Sequence, residues 1–138
     1  MKRVLSLICV LALAISCLFI FASCGAPNSD PDKALEALKE NGVEWAGKDK
    51  TVIPGLLKIA GIDDVDCVVS GTGKIDDEYA HITIIYFEDA DAASDEWEDV
   101  QEYAEKEKDD DAEESDWVCK KSGKMIYYGT KNAIKAAK

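Results

Sequence analysis

The sequence predicts an α+β fold in two layers, a four-stranded antiparallel sheet with helices packed on one face. Three observations carry this expectation. Two pairs of short alternating segments are each joined by a Gly-containing turn or loop. One strong amphipathic helical stripe lies between the pairs. No strand–helix–strand run of the kind that builds a parallel sheet is present. The expected order is α-α-β-β-α-β-β-α, two hairpins bracketing one helix.

The first helix opens at Ser29-Asp30-Pro31, where Asp30 can cap the free N–H groups and Pro31 suits the first helical position. Ala34, Leu35 and Leu38 share a face, Gly42 ends the helix, and Val43 and Trp45 follow as expected core contacts. A second short helix is expected over residues 52–60, where Ile53, Leu56, Leu57 and Ala60 recur at helical spacing. Residues 64–70 read as a strand, with Val65, Cys67 and Val69 alternating with Asp66, Val68 and Ser70. Gly71 to Glu78 reads as a loop, and Tyr79 to Phe87 is the clearest strand. Residues 90–107 form the long helix, with Ala90, Ala93, Trp97, Val100 and Ala104 on its apolar stripe. Residues 109–116 are a solvated acidic loop. Trp117–Lys121 and Lys124–Gly129 make the second hairpin around Ser122-Gly123, and Thr130 caps a last helix that packs through Ala133, Ile134 and Ala137.

The N-terminal end has a different character. Lys2 and Arg3 precede a stretch with no charged side chain before Asp30, and Val4 to Ala22 is predominantly apolar. A cationic start, an apolar run and a small-residue stop mark a secretory signal segment. The tetrapeptide Phe21-Ala22-Ser23-Cys24 resembles the bacterial lipobox, with Phe21 standing where Leu is usual. The resemblance covers residues 1–24. It implies a diacylglycerol thioether on Cys24, cleavage between Ser23 and Cys24, and anchoring on the outer face of a cell membrane, most simply in a Gram-positive type of host. Residues 1–23 are then a signal peptide, 24–30 a lipidated tether and 31–138 one small domain. Two acyl chains anchor stably where one does not, since each buried methylene contributes about 0.8 kcal/mol.

From Cys24 to Lys138 the chain holds 14 basic and 28 acidic residues. Sixteen of the acids fall in residues 88–116, against two lysines, while residues 117–138 carry six lysines and no acid. So acidic a domain is not a nucleic-acid binder, because phosphate contacts need a basic surface. The membrane partner is expected through lipid and not through surface charge.

Few motifs carry chemistry. Cys67 and Cys119 are candidates for a disulfide in an exported protein, or for buried free thiols. Ser70-Gly71-Thr72-Gly73-Lys74 lacks the first glycine and the hydroxyl residue of a phosphate loop and precedes a strand, so it reads as a hairpin connection. His81, the one histidine, sits in mid-strand as a structural residue. Asp109, Asp110, Asp111, Glu113 and Glu114 are weak candidates for a hard cation, although the calcium-loop spacing fails at Ala93, Ser94 and Val100. Among the rings, Trp97 belongs to the helix stripe. Trp45, Trp117 and one of Tyr127 and Tyr128 are candidates for an exposed surface that stacks on sugars or peptides. No catalytic set and no cofactor motif is visible. The expected function is a non-enzymatic, membrane-anchored module that contacts a protein, peptide or cell-wall partner; the alternative is a cation- or solute-binding domain built on the 88–116 region.

Cys24→Ser is expected to abolish incorporation of labelled fatty acid and to leave an uncleaved precursor. A variant that labels as well as the parent chain would remove the anchor.

Overall fold

A strand that is apolar on both sides needs cover on both sides, and the segment ending Ile82-Thr83-Ile84-Ile85-Tyr86-Phe87 is such a strand. The computed structural model, which describes residues 26–108 and 117–138, places it at the centre of a sheet with helices on either face. The elements are α1 (Pro31–Glu40), β1 (Trp45–Asp49), α2 (Val52–Ile59), β2 (Val65–Ile75), β3 (Glu78–Phe87), α3 (Ala90–Asp95), α4 (Trp97–Glu107), β4 (Trp117–Ser122), β5 (Met125–Thr130) and α5 (Lys131–Ala136). All pairings are antiparallel, in the order β1-β2-β3-β5-β4.

The α+β class stands. Two finer expectations do not. The sheet has five strands, because Trp45–Asp49 pairs with Val68–Thr72 as an edge strand. The helices form a layer on each face, so the architecture is three-layered. One core holds Ala34 and Leu38 of α1, Val69, Ile82, Ile84, Tyr86 and Tyr127 of the sheet, and Ala133 and Ile134 of α5. The other holds Leu57 of α2, Val68, Ile85, Phe87, Ile126 and Tyr128 of the sheet, Ala92 and Ala93 of α3, and Val100 and Ala104 of α4.

Local chemistry explains the elements. Asp30 caps α1, its carboxylate accepting from the Asp32 N–H at 2.9 Å. Asp49 does the same for α2, accepting from the N–H groups of Thr51, Val52 and Ile53, and these bonds hold its carboxyl below the usual range. Within α2 Leu57 is buried, while Leu56 and Ala60 face solvent. The long helix expected over 90–107 is broken at Glu96, so Ala92 and Ala93 bury in the first piece and Val100 and Ala104 in the second, while Ala90 is exposed.

β2 runs on through the expected loop to Ile75 and turns across Asp76-Asp77, both at positive φ as a tight hairpin turn requires. Ser70-Gly71-Thr72-Gly73-Lys74 is therefore strand. A Cβ on Gly71 would come within 2.8 Å of the Val43 side chain, so glycine here is a packing demand and not a turn signal. A register shift at Asp66 turns Val65 to the opposite face from Cys67. In the second hairpin the turn residues are Gly123-Lys124.

The tether expected over 24–30 is docked from Ala26 onward. Ala26 packs against the α1/α5 core, Pro27 is buried, the Asn28 N–H donates to the Ala137 carbonyl at 2.8 Å, and the Tyr86 hydroxyl donates to the Asn28 carbonyl at 2.7 Å. Among the described residues no helix is long and apolar enough to cross a membrane.

Gly129 lies so close to β3 that a Cβ would sit 2.1 Å from the His81 carbonyl oxygen, at φ +146°. Gly129→Ala combines backbone strain with a clash against main chain. The expected cost is about 3 kcal/mol of unfolding free energy, read by urea denaturation.

Candidate functional site

The feature that departs most from ordinary core packing is a row of rings at the end of the sheet remote from the Asn28 docking point. Three residues lie on one face by alternation and pairing. Trp45 of β1 is opposite Thr72 of β2, and Thr72 is opposite His81 of β3. Trp117 of β4 joins the same row past Thr130 of β5. Tyr79, two residues before His81, extends the row along β3.

The ring geometry is regular. The Tyr79 and His81 planes are parallel within 1°, with centroids 6.5 Å apart, and those of His81 and Trp117 within 9°, at 5.9 Å. At such separations parallel rings do not overlap face to face, so most of each ring face is left uncovered by its neighbour in the row. Trp117 also meets the Tyr128 ring at a 43° tilt, 6.0 Å away. Tyr79, His81 and Trp117 are half-buried, Thr72 is exposed and Trp45 is 78% exposed.

A polar clamp sets the row. The His81 backbone N–H donates to Thr130 Oγ1 at 3.1 Å, and the Thr130 hydroxyl donates to Asn132 Oδ1. Asn132 Nδ2 donates to the Tyr79 carbonyl at 3.0 Å, and the Ala133 N–H donates to Asn132 Oδ1. The start of α5 thus holds β3 beneath two of the rings. His81 Nδ1 lies 3.2 Å from Thr72 Oγ1. The Trp117 indole N–H is sealed from solvent with no hydrogen-bond partner among the described residues. An orphaned buried donor costs about 1–3 kcal/mol, so stability alone does not account for an indole at this position.

The other sequence candidates are placed as follows. Cys67 and Cys119 are free thiols on opposite faces of the sheet, Cys67 on β2 and Cys119 on β4, with β3 and β5 between. Three strand spacings are roughly 14 Å, twice the reach of a disulfide, so of the two readings offered by the sequence the structure has the free thiols. Burial pushes both thiols up, Cys119 to about 11, so neither is a ready nucleophile at neutral pH. Tyr127 and Tyr128 are both buried, one in each core, so neither supplies an exposed ring; Trp45 does, as an exposed-ring candidate and not as the core contact also expected of it. Tyr128 donates to Glu107 Oε2 at 2.7 Å. Cys24 and the cation candidates Asp109, Asp110, Asp111, Glu113 and Glu114 lie outside the described residues. Among the described residues no group of three or more His, Cys, Asp or Glu is arranged to hold a metal ion.

Two further surfaces stand out. Val52, Leu56 and Ile59 form an exposed apolar ridge on α2. A groove of about 530 Å³ runs between α2 and the start of β2, with Lys58, Asp63, Asp64 and Glu88 among its lining. Nearby, Glu96 accepts the Asp63 backbone N–H, while its Oε2 is sealed without a partner among the described residues. Burial, then the charges of Asp99, Asp63 and Asp64, push this carboxyl up against the lowering effect of the Asp63 N–H.

Sequence reasoning found Trp45, Trp117 and His81 as isolated residues and missed Tyr79, Thr72, Thr130 and Asn132. The Tyr79/His81 alternation was a visible signal for one pair. The approach of Trp117 was not, because it depends on the β5-β4 order. In comparisons with known proteins, no protein family, curated protein or solved structure matches this chain.

Glu96 yields a pH test. Its folded carboxyl keeps a proton to higher pH than the unfolded chain does, so ionisation costs stability above that range and protonation restores it as pH falls. Glu96→Gln is expected to melt at higher temperature than the parent at pH 7. The difference should shrink as pH falls toward 4.5, the ordinary Glu value. An equal or lower melting temperature at pH 7 contradicts the assignment.

Proposed function

We propose that this chain is a lipid-anchored extracytoplasmic binding module, non-enzymatic, that holds a cell-wall polymer against the ring row. The observation that carries the reading is the parallel set Tyr79, His81 and Trp117, fixed by the Thr130–Asn132 clamp and continued by the exposed Trp45. Flat apolar rings flanked by hydroxyls suit sugar rings, which offer C–H faces and hydroxyl edges together. Thr72 lies within the row to hydrogen-bond such a ligand. The orphaned Trp117 N–H adds a donor whose unmet need a small shift of the row would satisfy.

The anchoring half of the reading rests on the lipobox-like end at Cys24. The non-enzymatic half is supported by the chemistry of the described residues. The imidazole of His81 is one member of the ring row, with Nδ1 beside Thr72 Oγ1, and both thiols are raised by burial.

Titration of the protein with purified peptidoglycan fragments and wall polysaccharide, followed by tryptophan fluorescence, tests the site. Trp45→Ala is expected to weaken binding about tenfold, the equivalent of about 1.4 kcal/mol, and to leave the melting temperature unchanged because the ring is solvent-facing. Tyr79→Ala is expected to weaken it similarly. Absence of binding to either polymer, or affinity retained in both variants, refutes the proposal.

A further inference from the structure

We infer that the α1/α5 layer is the face that lies on the membrane, and that the occupant of this surface is an anionic lipid bilayer. The inference rests on the lipid anchor proposed above and adds the orientation of the domain to it. Two independent observations select this layer.

The first is where the chain is fastened. Ala26, half-buried, packs against the core that α1 and α5 cover, and Asn28 is tied to Ala137 and to Tyr86. Ala26 lies two positions after Cys24, and two residues span at most about 7 Å. A lipid on Cys24 therefore keeps the bilayer surface close to where Ala26 docks, beside the α1/α5 core. A free linker of six residues would have allowed any orientation; a docked one does not.

The second is charge. Residues 30–40 and 131–138, which contain α1 and α5, hold four acidic and five basic side chains. Lys131, Lys135 and Lys138 are exposed together at the α5 end. On the opposite face, Asp89 through Glu107 hold nine acidic side chains and one basic. The sheet keeps the two apart. Anionic lipid repels the α3/α4 layer and tolerates or attracts the α5 lysines, and this force acts within about a Debye length of the surface. Tether and field thus point the same way: α1/α5 down, the acidic layer outward.

The test uses the full lipidated protein purified from its cells and reconstituted on phosphatidylglycerol/phosphatidylcholine vesicles. Lysine labelling by a membrane-impermeant amine reagent is read by mass spectrometry. Lys33, Lys131 and Lys135 are expected to label at least threefold more slowly than Lys106 of α4. With the same lipidated protein held in nonionic detergent instead of on vesicles, the four should label at similar rates. The triple variant Lys131→Glu, Lys135→Glu, Lys138→Glu should lose most of the protection at Lys33, the probe it retains, while still floating with the vesicles. Protein that floats but shows equal labelling of both layers, or protection of Lys106, overturns the orientation and leaves the anchor intact. Protein that neither floats nor carries lipid on Cys24 overturns the anchor and this surface with it.

Discussion

β3 buries Ile82, Ile84 and Tyr86 on one side of the sheet and Ile85 and Phe87 on the other. Each such side chain contributes about 1.5–3 kcal/mol when taken out of water, and none can do so without a partner layer. This one strand therefore dictates a helix layer on each face. α1 and α5 close the first, α2, α3 and α4 the second. Its remaining N-terminal half, Tyr79 to His81, carries polar and aromatic side chains on the second face, and there the ring row replaces ordinary core packing. Core and candidate site are two stretches of the same strand.

The local part of this design was legible in the sequence. The Asp30 cap, Pro31, the alternation of Tyr79 to Phe87 and the β4–β5 hairpin all depend on neighbours within a few residues, and all were found. What was missed depends on distant partners. Trp-Ala-Gly-Lys-Asp has no apolar period; it is a strand because β2 offers a free edge and only Ala46 needs cover. Gly71 and Gly73 suggested a loop, but they are small because the chain after α1 crosses over them. Strict alternation put Val65 with Cys67, and the extra residue Asp66 undid it. Two-sided burial was written in Ile85 and Phe87, which would have been wasted on a solvated face. Tyr127 and Tyr128 repeat the lesson: adjacent rings on one strand are both buried when both faces are covered.

The sheet is also an electrical partition. The acidic stretch that dominates the composition is confined, in its described part, to one outer layer, and α5 with Lys131 and Lys135 packs on the other side, while Lys121 of β4 reaches Ser94 of α3 on the acidic side. The opposite charges of the α4 and α5 segments therefore do not meet within one molecule. The two side-chain ion pairs among the described residues are Lys48–Asp32 and Lys106–Glu102, both with exposed members, and such pairs contribute little. Stability comes from the two apolar cores, and the charge distribution is left to govern what the surfaces face.

The sheet's two outer strands have one more consequence. Each presents unpaired main-chain groups that a neighbouring molecule's strand could extend. β1 is five residues long and carries Lys48, and β4 carries the adjacent exposed pair Lys120 and Lys121. Bringing two such rims together would crowd ammonium groups against one another and strip their water. This trimming lets copies of the chain collide without zipping into fibres.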